Sequence, residues 1–171
     1  MALKRIVLRD FVIVSELELD LESGFSVLTG ETGAGKSILI DALQLVTGAR
    51  ADTGVIREGA ARTDVSAEFD NAPGLQAVLD EAGFESGDTL LLRRTVDTQG
   101  KSRAWVNGSP ATAQQLRTIG EQLLDIHGQH AWQSLTRPEA VRGLLDAYAK
   151  LDTSALSGLW ATWRQTQQAL T

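Results

Sequence analysis

Gly30-Glu31-Thr32-Gly33-Ala34-Gly35-Lys36-Ser37 is the stretch on which the fold turns. It meets the spacing G-x-x-x-x-G-K-[ST], and each residue type in it has a physical reason. The glycines let the backbone curl, so that successive N–H groups point into one concavity suited to phosphate oxygens. A helix opening at Lys36 adds its positive end. The Lys36 ammonium can reach the β- and γ-phosphates, and the Ser37 hydroxyl can ligate Mg²⁺. A phosphate cradle is therefore expected from Gly30, Glu31, Thr32, Gly33, Ala34, Gly35, Lys36, Ser37 and Ile38, with ATP and Mg²⁺ as its cofactors.

The flanks fit this assignment. Phe25-Ser26-Val27-Leu28 reads as a short apolar strand entering the loop. Beyond it the period changes: Ile38, Ala42, Leu45 and Val46 share one helical stripe, and Gly48 supplies a C-terminal stop. Upstream, Leu17, Leu19 and Leu21 alternate with Glu16, Glu18 and Asp20, the pattern of a half-buried antiparallel strand. Ile6-Val7-Leu8 and residues 11–14 suggest its partner, with a bend near Arg9-Asp10. Glu22-Ser23-Gly24 reads as a turn.

Composition narrows the function classes. Of 171 residues, 43% are hydrophobic and 22% charged, the balance of a globular domain. Sixteen Lys and Arg against 22 Asp and Glu leave a net charge of −6. That excludes retention on nucleic acid by bulk charge, because counterion release needs clustered cations. The absence of cysteine excludes disulfides, Cys-ligated zinc, iron–sulfur clusters and thiol catalysis. No apolar run approaches the ~18 residues of a membrane span. Arg9 and Asp10 interrupt the N-terminal apolar run, against a signal peptide. A soluble, cytoplasmic chain with no membrane partner is expected.

Further along, residues 49–63 read as a loop. Val65, Ala67 and Phe69 suggest a strand, and Leu75, Val78, Leu79 and Ala82 a helix ending at Gly83. Residues 90–96 and 103–106 frame a hairpin with its tip at residues 97–101, and Asn107-Gly108 is a tight-turn dipeptide. Residues 112–124 read as a helix. Thr136 and Glu139 fit a capping box that opens another, reaching about Lys150. Leu156, Trp160, Trp163, Gln167 and Leu170 then recur at spacings of 4, 3, 4 and 3, the rhythm of a coiled coil. A helix over residues 152–171 is expected to project, with both tryptophans partly exposed.

A phosphate loop does not define the reaction. The second acidic element of such ATPases, an apolar strand ending in Asp or Asp-Glu, has no match. Leu123-Leu124-Asp125 is too short, and Leu144-Leu145-Asp146 sits in a helical pattern. His127 and His130 make a poor zinc site without Cys or a spaced carboxylate. Gln129, beside Gly128, can orient the attacking water or the metal, as glutamine does in several phosphoryl-transfer sites.

These residues resemble a known family. The loop running from Thr29 through Ser37, followed by Ile38-Leu39-Ile40-Asp41-Ala42-Leu43, is similar to that of the RecN family of bacterial SMC-like DNA-repair ATPases. Residues 8–14, Arg103-Ala104-Trp105-Val106-Asn107-Gly108, Ile126-His127-Gly128-Gln129-His130 and Gln133-Ser134-Leu135 agree with it; Ala131-Trp132 departs from the family's more polar pair. The resemblance implies an α/β P-loop NTPase of ABC/SMC head type, assembled from both ends of a long chain joined by an antiparallel coiled-coil arm. Residues 1–150 would form the N-terminal half of the head, with antiparallel strands beside the P-loop strand, and residues 151–171 would start the arm. Walker B, the signature stretch, the D-loop and the switch histidine would lie in the C-terminal half. Leu156-Ser157-Gly158 is no signature, because Leu159 follows and the surroundings are heptad-like.

By the same resemblance Gln129 is the Q-loop glutamine, so Lys36 and Gln129 are the expected catalytic residues and Ser37 and Gln129 the expected metal contacts. The implied partners are the C-terminal half of the head, a second head in an ATP-dependent dimer, and DNA through the complete protein. The implied role is ATP-driven head engagement coupled to DNA bridging in double-strand-break repair and recombination, at the nucleoid. Two alternatives stay open at this point. A small-molecule kinase would need a lid of several arginines, of which Arg57, Arg93, Arg94 and Arg103 are the candidates. A module that holds ATP without turnover needs nothing beyond the cradle.

Overall fold

The computed structural model describes residues 2–29, 36–70, 73–124, 126, 138–149, 151 and 154–169. The chain divides into two compact units, Met1–Asp125 and Ile126–Thr171. In the first, six strands among the described residues form one antiparallel sheet in the order β2-β1-β3-β4-β5-β6. The strands are β1 (Leu3–Phe11), β2 (Val14–Asp20), β3 (Arg62–Asp70), β4 (Thr89–Asp97), β5 (Ser102–Val106) and β6 (Ser109–Ala111). Three helices accompany them: α1 (Lys36–Val46), α2 (Pro73–Glu81) and α3 (Ala113–Leu123).

Alternation decides which face of the sheet is covered. Ile6 and Leu8 of β1, Val65, Ala67 and Phe69 of β3, Leu90, Leu92 and Val96 of β4, and Ala104 and Val106 of β5 turn to one side. There they meet Ile38, Ala42, Leu45 and Val46 of α1, Leu75 and Leu79 of α2, and Leu116, Ile119 and Leu123 of α3. Each fully buried leucine or phenylalanine in this layer contributes about 1.5–3 kcal/mol relative to exposure. The opposite sheet face carries charged and polar side chains such as Arg5, Arg9, Asp64 and Arg93, with Val7, Leu91 and Trp105 among them.

Two glycines set how closely α1 and α3 approach. Gly48 ends α1 with φ +99°, and a Cβ there would lie 2.5 Å from the Arg117 backbone nitrogen. A Cβ on Gly120 would lie 2.6 Å from Thr47 Cβ. Gly120 therefore has a packing role inside a helix it would otherwise weaken. At the start of α3, Thr112 and Gln115 form a reciprocal capping box.

Several sequence expectations need correction. The bend near Arg9-Asp10 does not divide β1, which runs unbroken to Phe11; the chain reverses at Val12-Ile13. Asp10 and Val12 adopt left-handed φ values of 50° and 52°. The following loop holds them there: Val12 N–H donates to the Val55 carbonyl at 2.7 Å, and Arg57 N–H to the Asp10 carbonyl at 2.9 Å. Such a conformation is unusual for a β-branched residue and persists only when its surroundings over-determine it.

The loop over residues 49–63 contains a short 3-10 helix at Thr53–Val55 and an isolated bridge between Phe11 and Ile56. Strand β6 escaped the sequence because three residues including Pro110 carry no periodic signal. It follows from Asn107 and Gly108, both left-handed, whose turn folds β6 back on β5. Residues 25–28, expected as a strand, form none, and Phe25 is 95% exposed. A strand needs a ladder partner, and no described strand pairs with this segment.

The second unit contains α4 (Pro138–Tyr148) and α5 (Ser154–Ala169). Asp146 lies within α4, beside Arg142 at 4.0 Å, so Leu144-Leu145-Asp146 is helical as the sequence suggested. The helix expected over residues 152–171 matches α5. Trp160 and Trp163 stack on each other with ring centroids 4.7 Å apart and are 59% and 51% exposed. The capping box at Thr136 lies outside the described residues.

Candidate functional site

Helix α1 begins at Lys36, as the cradle requires. Its first turn contains no acidic residue, so no carboxylate of this helix neutralises its positive end. Ser37 is exposed, leaving its hydroxyl accessible. Ile38, by contrast, is only 7% exposed and belongs to the core, so its contribution to a phosphate site is limited to the backbone amide. Burial of Ile38, Ala42, Leu45 and Val46 against the sheet fixes the azimuth of α1 and leaves Ser37 and Asp41 on its exposed side. Residues Gly30 to Gly35, Asp125, His127, Gln129 and His130 lie outside the described residues.

This donor set fits an anionic, oxygen-rich ligand: the positive end of α1 and an exposed small hydroxyl, without an acidic residue in the helix's first turn. Among the described residues no group of three or more His, Asp or Glu could hold a metal ion. For a magnesium ion bound beside this helix start, the Ser37 hydroxyl is a described group that could ligate it.

The four arginines considered for a kinase lid go to different places. Arg57 Nε donates to Asp10 Oδ1 at 2.8 Å, beside the β1–β2 reversal. Arg93 lies on the open sheet face, ion-paired to Asp64 and over the Trp105 ring at 5.3 Å. The hydrogen bonds it donates to Asp64 raise its pKa above the ordinary value. Arg94 turns the other way, into the core, where burial lowers its pKa. Arg103 is exposed on β5. No convergent lid exists among the described residues.

The buried role of Arg94, named from the sequence only as a lid candidate, is what sequence reasoning missed. Arg94 is 3% exposed and donates from Nε to Ser102 Oγ at 2.8 Å and from Nη1 to the Leu45 carbonyl at 3.4 Å. It thereby ties β4 and β5 to the C-terminal end of α1, where the helix dipole favours a cation. The signal was present, since Arg94 shares strand parity with Leu90, Leu92 and Val96. Outside this layer, no described helix is long and apolar enough to cross a membrane.

Comparison with known proteins agrees with this architecture. The AAA domain family matches residues 5–131. The DNA repair protein RecN of Vibrio cholerae is 41% identical over 98% of this chain, and that of Bacillus subtilis 41% identical over 86%. The chain spans 31% and 26% of the lengths of those two proteins. Among solved structures, the Smc head domain with a coiled coil and joint from Pyrococcus yayanosii aligns with a TM-score of 0.63 at 20% identity, over 97% of this chain and 37% of that one. An SMC ATPase studied for its ATP-driven dimerization and DNA-stimulated activation aligns with a TM-score of 0.61 at 24% identity, over 84% of this chain and 97% of that one. Both likenesses show the fold, an α/β P-loop head of SMC type with an antiparallel lobe. This chain belongs to the AAA domain family, and its homologues there are the RecN DNA repair proteins.

Proposed function

We propose that this chain is the ATP-binding N-terminal half-head of an SMC-like ATPase acting in DNA double-strand-break repair and recombination. In this reading residues 1–150 are the half-head and residues 151–171 begin a coiled-coil arm. The observation that carries it is the start of α1: a helix opening at Lys36 with Ser37 exposed and no acid in its first turn, at the last two residues of the G-x-x-x-x-G-K-S sequence. Residues 30–38 cradle the triphosphate and Lys36 neutralises its β- and γ-phosphates. Ser37 takes one position on Mg²⁺, and Gln129 orients the metal or the attacking water. Bound Mg-ATP supplies the electrophilic γ-phosphorus.

Hydrolysis in such sites is mostly positioning and charge neutralisation. Among the described residues β3 and β4 do end in acids, but Asp70 is ion-paired to Lys4 and Asp97 accepts the hairpin-tip N–H groups. Both strands also alternate buried and open residues instead of being apolar throughout, so neither is offered as the missing acid. The C-terminal half of the same head is proposed to supply that acid, and a second head to close the site over the γ-phosphate. The exposed apolar residues Phe25, Val27 and Leu28, which lead into the loop, support a missing strand partner from that half. DNA bridging by the engaged heads, and a nucleoid location, follow from the same reading. The test is ATP turnover by the 171-residue chain alone and after addition of the rest of the protein. The chain alone should bind ATP and remain nearly idle. Equal rates in both states would refute the half-site, and phosphate transfer to a small acceptor would refute the whole assignment.

A further inference from the structure

We propose that the open face of the sheet, at the end formed by the β4–β5 hairpin, is a contact surface for the phosphate backbone of duplex DNA. The proposal rests on the DNA reading above and assigns it a place that the P-loop does not suggest.

The argument begins with strand parity. On β3, β4 and β5 the residues opposite the core include Arg62, Asp64, Arg93, Asp97, Arg103 and Trp105. The register places Arg62 beside Asp97 and Thr95 beside Arg103. Lys101 closes the hairpin opposite Asp97, whose N–H donates to the Lys101 carbonyl at 3.1 Å.

Most cations on this face are neutralised. Arg5 is paired with Glu18 and Asp20, Arg9 with Glu16, and Arg93 with Asp64. The shallow groove across β1 to β4 is lined by Arg5, Arg9, Glu18, Asp64 and Arg93 of these pairs, with Val7, Ser66 and Leu91 between them, and each of its arginines has a carboxylate partner. Arg62, Lys101 and Arg103 differ: all three are exposed, and none forms an ion pair among the described residues. Asp97 lies nearby, but its Oδ1 accepts from the Gln99 and Lys101 backbone N–H groups at 3.0 and 2.9 Å and shapes the hairpin tip.

Three unpaired cations gathered at one end of a sheet are unexpected on a chain of net charge −6. With strands ~4.8 Å apart and a two-residue offset of roughly 6.6 Å along them, Arg62 facing Asp97 and Arg103 facing Thr95 are separated by roughly 12 Å. One small anion cannot satisfy groups so spaced, whereas duplex DNA presents a phosphate about every 1.7 Å of axis. The surface is also held firm. Thr98 N–H donates to the Ala61 carbonyl at 3.2 Å, tying the hairpin tip to the start of β3. Arg93, clamped between Asp64 and Trp105, keeps the adjoining row in place. A rigid, unpaired cationic end on an exposed sheet is suited to sequence-independent backbone contact.

The experiment uses the full-length protein with a fluorescent 40-base-pair duplex of mixed sequence, titrated at several salt concentrations. The variant carries Arg62→Ala, Lys101→Ala and Arg103→Ala together. Retained ATP binding by the variant confirms that it is folded, since these exposed side chains are not part of the core. Loss of three phosphate contacts should weaken binding on the order of 10²-fold and reduce the slope of log K against log salt by roughly 0.9 per contact. A variant that binds as tightly as the parent, with the same slope, overturns the surface assignment and leaves the DNA reading intact. A parent protein that does not bind the duplex overturns both. A substitution that abolishes binding of poly-glutamate but spares the duplex would make the partner an acidic protein and overturn the proposal.

Discussion

The Arg94 guanidinium donates to the Leu45 carbonyl at 3.4 Å, from the middle of the sheet to the end of α1. This contact couples the helix that opens the phosphate cradle to the β4–β5 hairpin through Ser102. A buried cation without a carboxylate partner is costly to desolvate, and burial accordingly lowers its pKa. Its two hydrogen bonds and the dipole of α1 offset that cost.

Volume and charge at this position should separate. Arg94→Ala leaves a cavity and removes a donor from the Ser102 hydroxyl and from the Leu45 carbonyl, which keeps only the Gly48 N–H, and should destabilise the fold by about 2–4 kcal/mol. Arg94→Met keeps much of the volume and removes the desolvation cost, so its loss should stay below about 1.5 kcal/mol. Urea denaturation of both variants checks the order; equal losses would mean that the guanidinium contacts, rather than packing, dominate.

Gly120→Ala should be far more damaging than a helix-propensity scale suggests. Alanine is ordinarily favoured over glycine inside a helix by about 1 kcal/mol. Here the added Cβ would meet Thr47 Cβ at 2.6 Å and the Thr47 carbonyl oxygen at 2.7 Å. The end of α1 would have to shift, with a net loss of about 1–3 kcal/mol. Gly143→Ala, in α4, meets nothing within 4 Å and should be neutral or stabilising. Thermal denaturation of the pair provides the comparison.

Lys36→Ala should remove most of the affinity for Mg-ATP. A charge-assisted contact to phosphate contributes about 1.5–3 kcal/mol, so the dissociation constant should rise on the order of 10²-fold. Titration calorimetry gives the answer directly, and an unchanged constant would refute the cradle.

Gln129→Ala separates chemistry from binding. In the full-length protein kcat should fall on the order of 10²-fold while ATP affinity changes little, because an orienting group acts mainly in the transition state. Single-turnover hydrolysis with a parallel binding titration distinguishes the two; a matching loss of affinity would make Gln129 a binding residue.

Local signals account for what the sequence made legible. The change to helical period from Lys36, the 90–96 and 103–106 hairpin and the Asn107-Gly108 turn all depend on residues near one another in the chain. Their conformations follow from sterics and short-range hydrogen bonding, so α1, β4, β5 and the turn appear where the residues put them. The family, too, was visible in motifs of this local kind.

Tertiary structure alone decided the rest, because the deciding contacts join residues far apart. The β1–β2 reversal falls at Val12-Ile13 since Val55 and Arg57 hold Asp10 and Val12 in left-handed conformations. Residues 25–28 have strand chemistry but no strand, for a ladder is a property of two segments. Neighbouring arginines on β4 part company: Arg93 joins the charged face and Arg94 the core, as the period of two demands once the helices have chosen a side. Arg62 and Arg103, 41 positions apart in sequence, become near neighbours only after β3, β4 and β5 have paired in register. Sequence fixes which residues can bind, pair or pack; the closing of long-range ladders decides which of them meet.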